Sequence, residues 1–493
     1  MNNVGRIAML TALLVVIPTL LVAKTVSPLD YGLRQAKTDV ERYEVLLCTH
    51  TQAIEQGCDV SYAGIGSISI EIPRGAKSIP LTWHTDFGGV RLTVRNNQKQ
   101  MTLFTLENQL TELSVAKEEI DKGCLRKVRA LGNGKKLLVI EDETLWVKQR
   151  KGYNYGATRK DVLVLNRGRA QNRPVAPYQN EASSPKCYYC DVTGQEVEIK
   201  NLSFVRTEDS KYITHLLTLK NLNNIKIENI NVTTPQKTDL YGDVVIGLQN
   251  CANVTVEDVT INGTYSQGGK FGYGIQMNNV WNSRFVRLKA TAKWGIFGNN
   301  NVNKVELDGC DINRFDIHCY GRDVYCSHTT FRNGYNQFSS MMGKLVYENC
   351  IFENFVPVLF EQSYSAYTPF QLMIKDCKIQ VRKNAPYLVS AGNLAMLSDE
   401  TRTELKELSW PDISMENVEV SLPEGVKEWT IFNVNGNASE KVGGIEKVSL
   451  RNVSVETDGV AIIPKVRFSN VKAKTKKEIK VDISGSTIES IEF

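Results

Sequence analysis

Residues 197–204 read VEIKNLSF, with apolar residues at the first, third, sixth and eighth positions. The same eight-residue pattern occurs twelve times in the chain. The copies start at residues 197, 225, 254, 283, 305, 324, 345, 372, 413, 448, 466 and 481. Self-similar units at intervals of about 20–50 residues are typical of a solenoid, because each unit buries its apolar face only by stacking on its neighbours.

The repeat has the pattern of a β-strand rather than of a helix. Apolar and polar residues alternate on both sides of a central polar pair, which indicates a strand, a tight turn and a second strand. Asparagine suits the fifth position, because its side chain hydrogen-bonds turns and its backbone tolerates left-handed conformations. The fifth-position asparagines are Asn201, Asn229, Asn349, Asn417, Asn452 and Asn470. The sequence therefore predicts an all-β solenoid of roughly twelve coils, on the order of 55–60 Å long at ~4.8 Å per coil.

The N-terminus has the features of an export signal. Residues 1–23 begin with a short basic stretch and continue as an uncharged apolar run. This pattern predicts a signal peptide, and an uncleaved N-terminal membrane anchor is the alternative. We expect a secreted, periplasmic or cell-envelope protein.

The remaining chain divides at the first repeat. Residues 24–196 are expected to form an N-terminal α/β cap and the first coils, and residues 197–493 the parallel β-helix repeats. Within the first part, the spacing of apolar residues predicts a helix at 38–55 and a second helix within 106–128. Residues 67–75 are expected to include a strand.

The charge of the chain limits its partners only weakly. The formal net charge of +5 over 493 residues is compatible with an anionic partner without requiring one. The sequence contains no dense basic helix and no interleaving of basic and aromatic residues, so no nucleic-acid partner is expected.

The eleven cysteines include two notable groups. Cys310, Cys350 and Cys377 occupy the same apolar position of the repeat, so we expect them to be small core residues. Cys187 and Cys190 form a CxxC pair for which a disulfide or a metal remains open, although a zinc site would need a second pair. No metal-binding residues are predicted.

Several segments of the chain resemble the pectin-lyase-like right-handed parallel β-helix superfamily, which includes pectate lyases, polygalacturonases and tailspike depolymerases. The resemblance rests on the repeat and on Asp30–Gly32, Thr38–Asp39 and the stretch IEIPRG at 70–75. It implies a right-handed parallel β-helix that acts on a polysaccharide, and Ca²⁺ is implied by the resemblance alone. The polygalacturonase motifs and the arginine and calcium-ligand motifs of pectate lyases are missing, so the resemblance does not assign a family within this superfamily.

A second family of strands is predicted between the repeats. The segments that contain Ile275, Ile296 and Ile317 align, and Phe338 follows in the next coil. If these residues point inward, period-two alternation directs their neighbours outward as a polar and aromatic face.

The coil at 315–323 places acidic, imidazole and phenol side chains on that face, where the neighbouring coils have mainly glycine, glutamine and asparagine. Asp316, His318, Arg322 and the more distant Glu361 are the predicted catalytic residues. In a lyase, His318 or Tyr320 would take the proton and Arg322 would neutralise a uronate; in an inverting hydrolase, Asp316 and Glu361 would flank the bond. Structural roles are the alternative, with His318 as a hydrogen-bonded strand residue and Arg322 in a turn salt bridge.

The predicted substrate-binding residues are polar or aromatic and lie on or beside the same face. They are Asp243, Tyr273, Gln276, Trp294, Asn299, Tyr320, Asp323, Gln337, Tyr364 and Tyr367. The sequence thus predicts an exported enzyme that cleaves a polysaccharide by β-elimination or by glycoside hydrolysis. A non-catalytic carbohydrate-binding or surface adhesion protein is the alternative.

Overall fold

The structure is a computed structural model that describes most of the chain after residue 23. The described residues are 24–96, 100–147, 157–175, 178, 183–210, 213–233, 244–262, 273–290, 297–332, 334–338, 341–353, 355–360, 370–382, 387–391, 411–434, 445–469, 471 and 478–493.

The described part of the chain is built mainly from short strands. Its α-helices are α1 (Asp39–Gln56), α2 (Lys117–Lys122) and α3 (Arg126–Ala130). The strands up to residue 191 are β1 Thr25–Val26, β2 Asp59–Ser61, β3 Ser67–Glu71, β4 Ile79–Pro80, β5 His84–Asp86, β6 Arg91–Arg95, β7 Met101–Glu107, β8 Thr111–Leu113, β9 Lys135–Val147, β10 Ala157–Asn166, β11 Arg169–Ala170 and β12 Pro185–Asp191. The later strands are β13 Val197–Val205, β14 Ile213–Lys220, β15 Asn223–Thr233, β16 Val244–Glu257, β17 Thr260–Asn262, β18 Ile275–Val286, β19 Lys289–Ala290, β20 Phe297–Asp308, β21 Asp311–Ile312, β22 Asp316–Ser327, β23 Thr330–Phe331, β24 Gly334–Phe338, β25 Met341–Glu348, β26 Ile351–Phe352, β27 Phe355–Phe360, β28 Phe370–Lys375, β29 Lys378–Gln380, β30 Tyr387–Ala391, β31 Asp412–Leu422, β32 Glu428–Val434, β33 Lys447–Thr457, β34 Val460–Ala461, β35 Lys465–Ser469, β36 Lys480–Asp482 and β37 Ile491–Glu492.

The repeats stack in parallel, as the sequence predicts. The first positions of eleven of the twelve copies pair from coil to coil in one unbroken register. These residues are Val197, Ile225, Val254, Ser283, Val305, Val324, Leu345, Leu372, Ile413, Val448 and Val481. The copy at 466 is the exception, because its strand β35 pairs with β32 and β37 in the second strand family. The prediction that the copy at 466 belongs with the other eleven copies was therefore wrong. It arose because the two strand families have the same period-two alternation.

Asparagines in the left-handed conformation form the corners of the coils. Asn279 donates its amide to Asn250 at 2.9 Å, and Asn250 donates to Asn221 at 3.0 Å. These three residues have φ values of 60, 52 and 58° and are almost fully buried. The fifth-position asparagines that the structure describes also have positive φ, as predicted from their turn position, whereas Asn470 lies outside the described residues. Corners of this type thus combine a backbone that asparagine tolerates with a hydrogen bond to the next coil.

The predicted first helix is present as α1. Thr38 and Glu41 form a capping box at its start, and Gly57 ends it with φ 64°. Its buried face, which includes Tyr43 and Leu46, packs into the solenoid core. The second predicted helix is confirmed as α2, which lies within 106–128 and ends at Gly123 in a left-handed conformation. It is only six residues long, and the same segment also holds β8 and the start of α3. In the described residues, no helix is long and apolar enough to cross a membrane.

A five-stranded antiparallel sheet is inserted between β7 and β13, and we refer to residues 108–192 as the insert. Its sheet order is β11-β10-β9-β12-β8. One face packs on α2 and α3, and the other places Val162 and Val164 against Ala252 and Trp281 at a corner of the solenoid.

The CxxC pair lies on β12 of this insert. Cys187 belongs to the helix-facing core of the sheet and Cys190 to the solenoid-facing core. Because the two side chains point to opposite faces, they do not pair with each other or share a metal, and the ten described cysteines are all free thiols. Cys310, Cys350 and Cys377 are buried in the solenoid core, in agreement with the sequence analysis.

We expect Asn279→Ala to lower the free energy of unfolding by about 2–4 kcal/mol, because it strains the left-handed backbone and leaves the buried Asn250 oxygen without its donor. Asn279→Gly should recover about 1 kcal/mol of this loss. Urea unfolding followed by circular dichroism measures both values. Asn231→Ala, at an exposed position of β15, is the matched control and should stay within about 0.5 kcal/mol of the wild type. Equal effects of Asn279→Ala and the control would refute the stabilising role of the hydrogen bonds between corner asparagines.

Candidate functional site

The candidate site lies on the outer face of the second strand family. We define this flank face by Gln276 on β18, Gly298 on β20, Arg314 just before β22, Asp316 and His318 on β22, and Tyr335 and Gln337 on β24. Gln276 pairs with Gly298, and Asp316 pairs with Gln337 in the following coil. The flank face therefore runs along the solenoid across four neighbouring strands.

The predicted register of these strands is partly wrong. Ile275 pairs with Phe297 rather than with Ile296, and Phe297 is completely buried instead of facing outward. Asn299 pairs with Ile317 and is also completely buried, so its predicted contact with substrate is wrong. A shift of one residue exchanges the two faces of a strand, and the adjacent apolar residues 296 and 297 made either choice compatible with the sequence.

Arg314 and Asp316 form a buried ion pair on the flank face. The Nη2 atom of Arg314 lies 2.6 Å from Oδ2 of Asp316. The neighbours Phe315 and Ile317 are both buried in the core, so alternation directs Asp316 outward. Its side chain is nevertheless 0% exposed, which corrects the expectation of an open carboxylate. Burial raises the pKa of Asp316 to about 7, while the charge and hydrogen bond of Arg314 oppose this shift.

His318 and Tyr273 form the second pair of the site. The Nε2 atom of His318 lies 2.9 Å from the hydroxyl of Tyr273, and the two rings meet edge to face. Burial and then the nearby charge of Arg314 lower the pKa of His318 to about 4, so its imidazole is neutral at physiological pH. A neutral imidazole bonded to a phenol is able to accept and return a proton.

Gly298 makes room for this pair. A Cβ atom at residue 298 would lie 2.5 Å from two carbon atoms of the Tyr273 ring. The ring therefore rests directly on the backbone of β20, and from there it reaches His318.

Two residues of the site were missed by the sequence analysis. Arg314 lies two residues before Asp316, so counting the alternation backwards would have found it. Its guanidinium carbon lies 5.1 Å from the ring centre of Tyr335, which stands on the neighbouring strand β24. Tyr335 lies two residues before Gln337, so the same backward count from the predicted alignment of Phe338 with Ile317 would have found it.

The end of the predicted coil turns away from the flank face. Tyr320 has a left-handed φ of 52° and is 4% exposed, so it does not share an open face with Asp316 as expected. Arg322 donates from Nη1 to the carbonyl of Val175 in the insert at 3.0 Å. The predicted turn salt bridge is present, with Nε of Arg322 3.5 Å from the Asp323 carboxylate.

The remaining predicted residues fall into two groups. Tyr273, Gln276 and Gln337 lie on or against the flank face, although Gln337 is largely buried. Five predicted residues lie outside the described part of the chain and stay predictions: Asp243, Trp294, Glu361, Tyr364 and Tyr367.

A calcium site is not assigned to the described residues. They contain no group of three histidine, cysteine, aspartate or glutamate side chains that could hold a metal ion. The Ca²⁺ implied by the resemblance therefore has no ligand set here from which a reaction step could be derived.

Comparisons with solved structures identify the fold. The chain is similar to the tailspike gp61 of Pseudomonas phage phi297, with a TM-score of 0.55 and 12% identity over 92% of this chain and 81% of that chain. It is also similar to the tailspike Gp54 of the Acinetobacter baumannii bacteriophage AP22, solved with a capsular saccharide, with a TM-score of 0.50 and 12% identity over 95% of this chain and 77% of that chain. No family model and no curated protein matches the chain. The chain has the right-handed parallel β-helix fold, which confirms the resemblance drawn from the repeat.

We expect Gly298→Ala to displace the Tyr273 ring and raise the pKa of His318 from about 4 toward its ordinary value of 6.5, because the imidazole becomes less buried. NMR titration of ¹³C-labelled histidine measures this pKa among five histidines. Gly247→Ala is the matched control on the same face, since its Cβ would come no closer than 3.3 Å to a histidine side-chain carbon. An unchanged His318 titration in Gly298→Ala would contradict the packing described here.

Proposed function

We propose that this protein is an exported polysaccharide lyase that cleaves a uronate-containing chain on the flank face. The observation that carries the proposal is the contact between neutral His318 and Tyr273 beside the guanidinium of Arg314. Removing a proton α to a carboxylate requires at least a base that takes the proton and a fixed cation that stabilises the developing negative charge. The signal peptide predicted at residues 1–23 accounts for export.

The proposed reaction uses Tyr273 and His318 together. The Tyr273 oxygen takes the proton from the carbon next to the uronate carboxyl group, while its own phenolic proton moves to Nε2 of His318. The electron pair of the broken C–H bond forms a carbon–carbon double bond. The bond to the glycosidic oxygen breaks, and the departing oxygen takes a proton from solvent. His318 then returns its extra proton to solvent.

Arg314 is proposed to stabilise the charge that develops on the uronate carboxyl group. Asp316 modulates this role, since an ionised Asp316 neutralises Arg314 whereas a protonated Asp316 leaves its positive charge available. A cation in a water-poor environment acts more strongly on such a charge than one in bulk solvent.

Hydrolysis fits the flank face less well. An inverting glycosidase requires two carboxyl groups about 6.5–9.5 Å apart. Among the described residues, the flank face contains one carboxyl group, that of Asp316, and Arg314 already holds it. Glu361, the predicted second carboxyl group, lies outside the described residues. Binding of a polysaccharide to this fold is supported by the AP22 phage tailspike, which was solved with a capsular saccharide.

We expect Tyr273→Phe and His318→Ala each to reduce kcat by about 10²–10⁴-fold, because each removes a partner in proton transfer. The assay follows the ultraviolet absorbance of the unsaturated product formed from uronic polysaccharides. Asn278→Ala, on the same strand face as Gln276, is a surface control that should retain activity. New reducing ends without the absorbance would establish hydrolysis instead, and polymer binding without either product would establish a binding protein.

We expect kcat/KM to show a bell-shaped pH dependence. Activity should rise through about pH 4 as His318 loses its proton, and fall through about pH 7 as Asp316 ionises and neutralises Arg314. Asp316→Asn should remove the decline on the alkaline side, because its amide cannot ionise. The measurement is kcat/KM across this pH range, with the melting temperature as a control for folding. An alkaline limb that persists in Asp316→Asn would assign it to another group.

A further inference from the structure

The seam between the insert and the solenoid carries a second polar surface near the flank face. Consecutive coils place Ala252, Trp281, Asn303 and Arg322 in one paired row along a corner. The insert covers the first part of this row with apolar side chains. At Asn303 and Arg322 the contact becomes polar: Asn303 donates to the carbonyl of Arg173 at 3.1 Å, and Arg322 donates to that of Val175.

The segment 171–175 of the insert is held rigidly over this row. Asn172 bonds the backbone of β10 twice, accepting from the Val164 N–H at 2.9 Å and donating to the Val162 carbonyl at 2.8 Å. The N–H of Val175 donates to Asp161 at 2.7 Å. The position of Arg173 between these anchors is therefore fixed by the fold of the insert.

A buried network anchors Asp161 in turn. Its carboxylate accepts from Nε of Arg159 at 2.9 Å and from the hydroxyl of Tyr178 at 2.6 Å. The guanidinium of Arg159 lies 3.6 Å from the ring centre of Tyr178. All three side chains are almost completely buried, so this network has no access to a ligand and serves to position the segment above it.

Two arginine side chains remain accessible at the seam. The side chain of Arg173 is exposed, and only its backbone is used in the contact with Asn303. The side chain of Arg322 is 40% exposed, and its two described contacts use Nη1 and Nε, so Nη2 has no partner among the described residues. Asp323 offsets one of the two positive charges, which leaves a net charge of +1 at the seam.

We propose that Arg173 and Arg322 form a second binding subsite, which holds an acidic group of the polysaccharide at the seam between insert and solenoid. The inference rests on the proposed function and gives the substrate class as an acidic polysaccharide longer than the unit that is cleaved. Arg322 follows His318 by four residues, so the two lie within about 13 Å at ~3.3 Å per residue. A guanidinium binds a carboxylate or a sulfate through paired hydrogen bonds, which a neutral sugar cannot provide.

The test measures binding and cleavage by the full-length protein separately. Affinity for polygalacturonate, alginate and neutral dextran is measured by calorimetry in a Tyr273→Phe background, and cleavage is measured in the wild type. We expect Arg173→Ala and Arg322→Ala each to weaken binding of the acidic polymer about five- to ten-fold and to reduce its salt dependence. Dextran binding should not change. Arg169→Ala, an exposed arginine on β11 of the same insert, should behave like the wild type.

The possible failures are distinguishable. If the wild type cleaves an acidic polymer but Arg173→Ala and Arg322→Ala bind it normally, the subsite is refuted and the proposed function stands. If no polymer is bound or cleaved by the wild type, the proposed function and the subsite both fall. Arg173→Ala keeps the test independent of folding, because the side chain it removes makes no described contact. Arg322→Lys should retain part of the affinity, since it keeps the charge but loses the paired geometry.

Discussion

The hydrogen bond between asparagine side chains at successive corners is the interaction on which the rest of this molecule depends. A coil of a solenoid must turn sharply, and many turns here use a left-handed backbone conformation that most side chains disfavour. Asparagine accepts this conformation, and its amide then bonds the equivalent residue of the next coil, as Asn250 does with Asn221. Where such bonds occur, the corners fix both the path of a coil and its register against its neighbour. The outer faces are free to vary because the corners and the apolar interior already specify the fold.

The flank face uses that freedom to hold charged groups away from water. Arg314 and Asp316 protrude from the same side of one chain segment, yet both are almost completely buried by their neighbours. Their proximity sets the electrostatic environment of His318, whose pKa falls through burial and through the charge of Arg314. The reactive character proposed for this surface thus comes from a few substitutions on a stable frame, not from a departure from the fold.

The fold could be predicted from the sequence because one short pattern recurs and has only one way to bury its apolar residues. The site could be predicted only in part. Period-two alternation correctly directs Asp316 outward. It does not predict that the Asp316 carboxylate is buried and paired with Arg314. At residues 296 and 297 two apolar side chains follow one another, so the alternation gave no basis for choosing the inward residue, and Asn299 was assigned to the wrong face. The contact between Arg314 and Tyr335 depends on how two outward side chains of neighbouring coils pack, which the alternation does not determine. The insert was not foreseen, because its strands follow the same alternation as the coils.

The insert also has a consequence for how the molecule comes apart. In a solenoid each coil touches only its neighbours, so unfolding can begin at an end and advance one coil at a time. The insert contacts β16 and β18 through Ala252 and Trp281, and it bonds β20 and β22 through Asn303 and Arg322. The insert thus links four successive coils from outside. These coils must therefore unfold together as one cooperative block. Arg314, Asp316 and His318 of the proposed reaction centre lie on the last of these coils, which is the edge of the block that fraying from the C-terminal end reaches first.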